Sequence, residues 1–260
     1  MPNYIAVSRE THANKRWQHA QSYAFAANEA VVPLGAQEFP KAMMSVPIAF
    51  FAQGNIFQPT AVLGFVQGQS LFVAPDGRWL GDYVPAIFRT YPFRLANTPE
   101  GEQVMCIDLD SGLQTEGPEG ELFFNEDGTP AAEVSQALEL LNQIETSRPV
   151  TAAGCAALQA CKLIVPWEIS VQSDTGEQKI EGLYKVDEAA MNALSEEDFL
   201  SLRKHGALAM AYCQLLSMQH LSVLGQLAQT GEAAKDAASQ HGDLAFAMSD
   251  QDGTISFDGL

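Results

Sequence analysis

The stretch DGRWLGDYVPAIFRTYPFRL, residues 76 to 95, carries three of the chain's seven arginines, Arg78, Arg89 and Arg94, among Trp79, Tyr83, Phe88, Tyr91 and Phe93. Guanidinium forks can clamp a carboxylate or phosphate bidentately, and aromatic rings can wall the pocket that holds it. A second group stands in CIDLD, where Asp108 and Asp110 share one face of an expected strand because side chains alternate. Two such carboxylates could bind a metal or divide acid and base roles. Each set also has a plainly structural use. The arginines could pair with Asp76, Asp82, Asp108 or Asp110, and the two aspartates could cap a turn. In that case Arg89, inside a proline-bounded aromatic turn, is expected to be a buried, paired strut, and Arg94 to lean outward.

Other chemistry is sparse. HGD at 241 to 243 has the first half of a facial-triad iron site, but no histidine follows it. In the tail, Asp250, Asp252, Gly253 and Ile255 fall on the third, fifth, sixth and eighth positions of a calcium loop. Met248 and Gly259 would then stand where calcium needs its opening and closing carboxylates, so a turn into a strand is expected instead. The chain has no nucleophile elbow, P-loop or dinucleotide fingerprint. No cofactor and no metal is expected.

The elements that must position these residues follow from composition and pattern. With 14 basic and 32 acidic residues, the net charge of −18 repels nucleic-acid backbones and anionic lipid surfaces. The start, MPNYIAVSRETHANKRW, lacks the apolar core of a secretory signal, and Cys106, Cys155, Cys161 and Cys213 show no paired spacing. Reduced thiols and a cytoplasmic location are the expectation. The apolar stretch 207 to 227 holds Gln214, Ser217, Gln219, Ser222 and Gln226, too many polar groups for lipid, and reads as a buried helix with no membrane insertion.

The first 40 residues look irregular. VPIAFFAQG (46–54) and TAVLGFV (60–66) read as adjacent strands, with SLFVA (70–74) a possible third and QVMCIDL (103–109) another. A helix starts at Thr129-Pro130 and presents Val134, Ala137, Leu138, Leu141 and Ile144, and a second spans about 151 to 163. WEISVQSDTGEQKIEGLYKV reads as a hairpin around SDTG. Ser195 with Asp198 opens a further helix that stops at Gly206. The order predicts an α+β fold: a mixed or antiparallel sheet with hairpins, packed against several helices in a single large domain. That domain spans residues 1–228, and 229–260 form an Ala/Gly/Asp-rich linker with a short C-terminal tail.

From about residue 30 to 228 the chain resembles the SapC family of bacterial, surface-layer-associated proteins. The resemblance rests on FQPTAVLGFVQGQSLFV, GRWLGDYVPAIFRTYPF, IDLDSG, GELFFNEDGTP, PWEISV, IEGLYKVDEAAMNAL and LRKHGALAMAYCQLLSMQHL, seven segments in order. It departs at Thr90, where the family more usually has an arginine, and in the Ala-rich stretch after 228. The resemblance implies no catalytic residue. It does imply an association with TonB-dependent receptors and flavin-dependent halogenase-like proteins, in the uptake or modification of an imported compound.

Three functions are therefore expected in turn. The first is a non-enzymatic binding or accessory protein that takes a small anionic ligand or a peptide at Arg78, Trp79, Tyr83, Arg89, Tyr91, Arg94, Asp108 and Asp110. The second is an enzyme or enzyme subunit using Asp108, Asp110 and Arg89. The third is a surface-layer or export component.

Overall fold

A computed structural model describes residues 3–98, 101–173 and 176–230 of the chain. In chain order the strands are β1 (Tyr4–Ala6), β2 (Arg16–Trp17), β3 (Val31–Pro33), β4 (Ile48–Gln53), β5 (Ile56–Val62), β6 (Phe93–Asn97) and β7 (Gln103–Asp108). They continue as β8 (Gln114–Thr115), β9 (Glu121–Leu122), β10 (Ile164–Pro166), β11 (Ile169–Ser173), β12 (Gly176–Ile180) and β13 (Leu183–Val186). The helices are α1 (Arg9–His12), α2 (Phe39–Ala42), α3 (Ala86–Arg89), α4 (Ala132–Ala160), α5 (Glu188–Asn192), α6 (Glu196–Lys204) and α7 (Ala207–Ser217).

The strands make antiparallel sheets, and the α+β class holds. The largest sheet has the order β10-β13-β4-β5-β3, and smaller ones have the orders β1-β7-β6 and β8-β2-β9. β4 and β5 form the expected hairpin, reversed at Gly54 with φ of 60°, a left-handed conformation that glycine adopts without strain. Ile48, Ala49 and Phe50 are fully buried, so this strand is covered on both faces. Its pairing begins at Ile56, four residues before the expected start, and passes through Pro59.

Two apolar cores form among the described residues. One gathers Val32, Phe39, Phe50, Leu63, Phe72 and Leu158 around the large sheet. The other gathers Trp17, Phe93, Ile107, Phe123, Val134 and Leu141 under the three-stranded sheet. α4 serves both. Val134 and Leu141 belong to the smaller core, and Cys155 and Leu158 to the larger one. The two expected helices are therefore one, starting at Ala132 rather than Thr129 and running through Pro149. A proline inside a helix removes one backbone bond, and packing at both ends of α4 offsets that local penalty.

α7 continues through a 3-10 turn at Met218–His220, and the helical run extends to Thr230. By length and composition this run could cross a membrane. Here its inner side is tied to the large sheet by polar groups. Gln214 Oε1 accepts the Val186 amide at 2.9 Å, and its Nε2 donates to the Ile48 carbonyl at 3.1 Å. Ser217 Oγ accepts the Ile48 amide at 2.9 Å. The expected burial holds on that inner side alone, because Tyr212, Leu216 and Val223 face outward. A side chain at Gly154 would meet the Met210 sulfur, so α4 and α7 pack closely at that glycine and Met210 would have to shift to admit a larger residue.

Local signals were reliable where a single turn decides the structure. Ser195 Oγ accepts the Asp198 amide at 3.1 Å to start α6, and Gly206, with φ of 69°, follows its end. β11 and β12 form the expected hairpin, although residues 174–175 of its turn lie outside the described residues. SLFVA is not a third strand. Only an isolated bridge, Val73 to Trp79, forms there, because the chain bends at Gly77 with φ of 83°. The first 40 residues are not irregular but hold three short strands that complete three separate sheets. HGD, the calcium-loop motif and residues 231–260 lie outside the described residues.

Candidate functional site

The aromatic residues of segment 76–95 are structural wall. Trp79 stacks on Phe72 with centroids 5.5 Å apart, meets Phe88 edge-on at 5.9 Å, and donates Nε1–H to the Tyr83 carbonyl at 3.0 Å. Tyr91 stacks on Phe25 at 3.9 Å. Phe25, with Tyr23 at 5.6 Å from Trp79, is a partner supplied by the N-terminal region. The expected short helix forms as α3, follows Pro85 and ends before Pro92.

The three arginines have separate fates. Arg78 Nε donates to Asp76 Oδ2 at 2.6 Å on the surface, and this bond holds the Asp76 carboxyl below its usual range. Arg89 is exposed, with its guanidinium 5.8 Å from the Tyr83 ring centroid. Arg94 is exposed on the outer face of β6, 5.4 Å from the Tyr4 ring. Among the described residues the arginine ion pairs are Arg78–Asp76 and Arg148–Glu145. The expected buried pairing of Arg89 is therefore not found. Arg89 ends a one-turn helix whose inward positions, Ala86 and Phe88, take the core, so its own side chain points out.

Asp108 and Asp110 do not share a strand face. β7 ends at Asp108, and Leu109–Ser111 turn as a 3-10 helix. Asp108 Oδ1 accepts the Asp110 amide at 3.1 Å, and Asp110 Oδ2 accepts the Asn3 amide at 3.1 Å. Asp108 caps the turn, the structural alternative considered above, whereas Asp110 ties that turn to the N-terminal segment at Asn3. Burial and the nearby Asp108 charge push the Tyr91 hydroxyl up, and Tyr4 is raised mainly by burial.

A further carboxylate, which the sequence does not single out, is buried in the fold. Glu38, 7% exposed, ends the 3-10 turn Ala36–Glu38. Its Oε2 accepts the Gly35 amide at 2.9 Å, and its Oε1 accepts both the Tyr83 hydroxyl at 2.6 Å and the Ala86 amide at 2.8 Å. Burial and this bond to a carboxylate push the Tyr83 hydroxyl well above the usual tyrosine range. Ser45 Oγ accepts the Asp82 and Tyr83 amides at 3.1 and 3.2 Å, fixing the backbone that presents the ring. The only advance signal was the GAQE spacing, in which an acid three residues on can reach back to a free amide.

Glu38 lines a cleft of about 410 Å³ between β5 and α4. Ile56 and Phe57 come from β5, Ile87 from α3, and Ile144, Thr151 and Cys155 from α4. Thr151 Oγ1 accepts the Ala36 amide at 2.8 Å near Glu38, and Gln159 Nε2 donates to the Asn55 carbonyl at 3.0 Å. Burial pushes the Cys155 thiol up to about 12, so it stays protonated and is a wall rather than a nucleophile. Of the residues named in advance, Tyr83 reaches this cleft indirectly, through Glu38. Arg78, Arg94, Asp108 and Asp110 are not part of its lining.

No curated protein and no solved structure matches the chain. The SapC family model matches residues 7–224, from just after β1 into the helical run beyond α7, and spans the buried residues of both cores and every wall of the cleft. The chain belongs to the SapC family.

Proposed function

We propose that this protein is a non-enzymatic binding or accessory protein, and that the cleft between β5 and α4 holds its ligand. One observation carries the reading: a buried carboxylate, Glu38, lines a ligand-sized cleft and is held by neutral donors alone among the described residues. Ordinary ligand sites have volumes of roughly 300–1,000 Å³, mostly apolar walls and a few fixed polar groups. Segment 76–95 then acts by construction, since Tyr83 and the Ala86 amide orient the carboxylate and Ile87 forms a wall.

A second reading has its own support. Arg89 and Arg94 are exposed, and each guanidinium lies over a tyrosine ring without a carboxylate partner among the described residues. Such a cation can receive a small anion.

A thermal-shift screen of short peptides, amines, carboxylates and phosphates separates the two. The comparison is between the wild type and Ala152→Trp, which fills the cleft from an exposed position on α4. A cleft ligand raises the melting temperature of the wild type alone, because a ligand favours the state that binds it. A ligand that stabilises both proteins equally, or that is turned over to product, would contradict the cleft reading.

A further inference from the structure

We infer that the cleft takes an uncharged, unbranched aliphatic chain, laid along α4 between Arg148 and Gln159. This rests on the reading of the cleft as a ligand site.

Shape supplies the first half of the argument. From Arg148 to Gln159 the α4 side of the cleft is about 16 Å long, at the helical rise of about 1.5 Å per residue. A volume of about 410 Å³ over that length leaves a mean cross-section of about 25 Å². A visiting helix, about 10–12 Å across with its side chains, is far too wide for it. Between the two end residues the exposed lining positions of α4 are Ala152 and Ala156, one turn apart, and their methyl groups leave the track clear. Across from them Phe57 is half-buried, and Ile56 is 62% exposed at the lip. A large apolar side chain left in water beside a cleft gains when a ligand covers it.

Bonding supplies the second half, because the polar groups of the lining are already used within the protein. Glu38 holds its three donors. Thr151 Oγ1 donates to the Ser147 carbonyl at 2.7 Å, and Ser147 Oγ donates to the Ile144 carbonyl at 2.7 Å. Gln159 is bonded to Asn55, and Arg148 is paired with Glu145 at 2.9 Å. A ligand polar group pushed in among them would give up water for groups that already have partners, which is unfavourable. The two charges of the lining, Glu38 and Arg148, are opposite in sign, so the cleft selects neither a carboxylate nor an ammonium. What it offers is apolar surface from Leu34, Ile56, Phe57, Ile87 and Ile144. A run of methylenes matches a narrow apolar track, and the ligand's polar end group stays in water at the mouth.

The test is calorimetric titration of the full chain with 1-hexanol, 1-octanol and 1-decanol. Affinity is expected to rise about fourfold for each added methylene, as burial of that group predicts. The branched 2-ethyl-1-hexanol, with as many carbons as 1-octanol, should bind about tenfold more weakly or worse. Octanoate and octylamine should bind no more tightly than 1-octanol. Ala156→Trp narrows the track from an exposed position and should remove the gain from 1-octanol to 1-decanol. Affinity that ignores chain length would overturn the inference, as would equal binding of the branched alcohol, tighter binding of either charged compound, or a gain that survives Ala156→Trp. Absence of any alkanol binding also overturns it, while the cleft reading itself is judged separately by the ligand screen with Ala152→Trp.

Discussion

The Glu38 junction and the arginine rim carry charge in opposite ways. At the junction a carboxylate is buried, and a hydroxyl and two backbone amides satisfy it without any cation within ion-pair reach among the described residues. On the rim Arg78, Arg89 and Arg94 stay exposed, one tied to its neighbour in a turn and two lying over tyrosine rings. Buried charge is costly unless its bonds are made, whereas exposed charge costs little and contributes little. The difference teaches that residue type alone is a poor guide to a site in this chain. The arginines look like chemistry and cover the surface, while one glutamate in a turn organises a cleft.

The contrast can be broken by mutation. Glu38→Ala strands the Tyr83 hydroxyl and the Gly35 and Ala86 amides, so a loss of about 3 kcal/mol or more is expected in chemical denaturation. A loss below about 1 kcal/mol would mean that the junction is not held as described. Tyr83→Phe removes one donor of three and should cost about 1.5–3 kcal/mol, the range for hydrogen bonds to a charged group.

A smaller effect sharpens the comparison from the other core. His12 is fully buried against Phe123, with centroids 4.7 Å apart, and its Nε2 has no hydrogen-bond partner among the described residues. Burial first, and then the Lys15 charge, lower its pKa, so the folded state favours the neutral ring. The unfolded chain then binds the extra proton first. Its stabilisation is complete above the unfolded value of about 6.5 and is lost as pH falls through the folded value. Denaturation midpoints should therefore decline below about pH 6.5 in the wild type, and less steeply in His12→Asn. Equal slopes would remove His12 from the account.

The smallest effects belong to the rim. Arg89→Ala and Arg94→Ala should each change stability by no more than about 0.5 kcal/mol, because both side chains are exposed and lack a carboxylate partner. A loss of several kcal/mol at Arg89 would restore the buried-strut reading that its place in the aromatic turn suggested.

What could be read in advance was local. The β4–β5 hairpin, β7, the Ser195 cap and the stop at Gly206 each depend on a few adjacent residues. The two-residue strand β2 and the three-residue strands β1 and β3 are too short to leave a periodicity, and long-range pairing decides them. Asp108 and Asp110 were misplaced because alternation holds only while the strand lasts, and β7 stops at the first of them. α4 looked like two helices because its apolar residues turn from one core to the other along its length. The cleft was invisible for a related reason. Its walls come from residues near 35, 57, 87 and 151, which meet only in the fold. Glu38 in sequence is one acid among 32 acidic residues, and nothing local marks it as buried.

Amide chemical-shift mapping during titration with the compound that the thermal-shift screen selects tests the central claim most directly. The expected result is a set of saturable shifts centred on Leu34, Gly35, Phe57, Ile87 and Thr151, which line the cleft beside Glu38. Shifts centred instead on Tyr4, Arg89 and Arg94, with the cleft residues unmoved, would contradict it and assign binding to the rim.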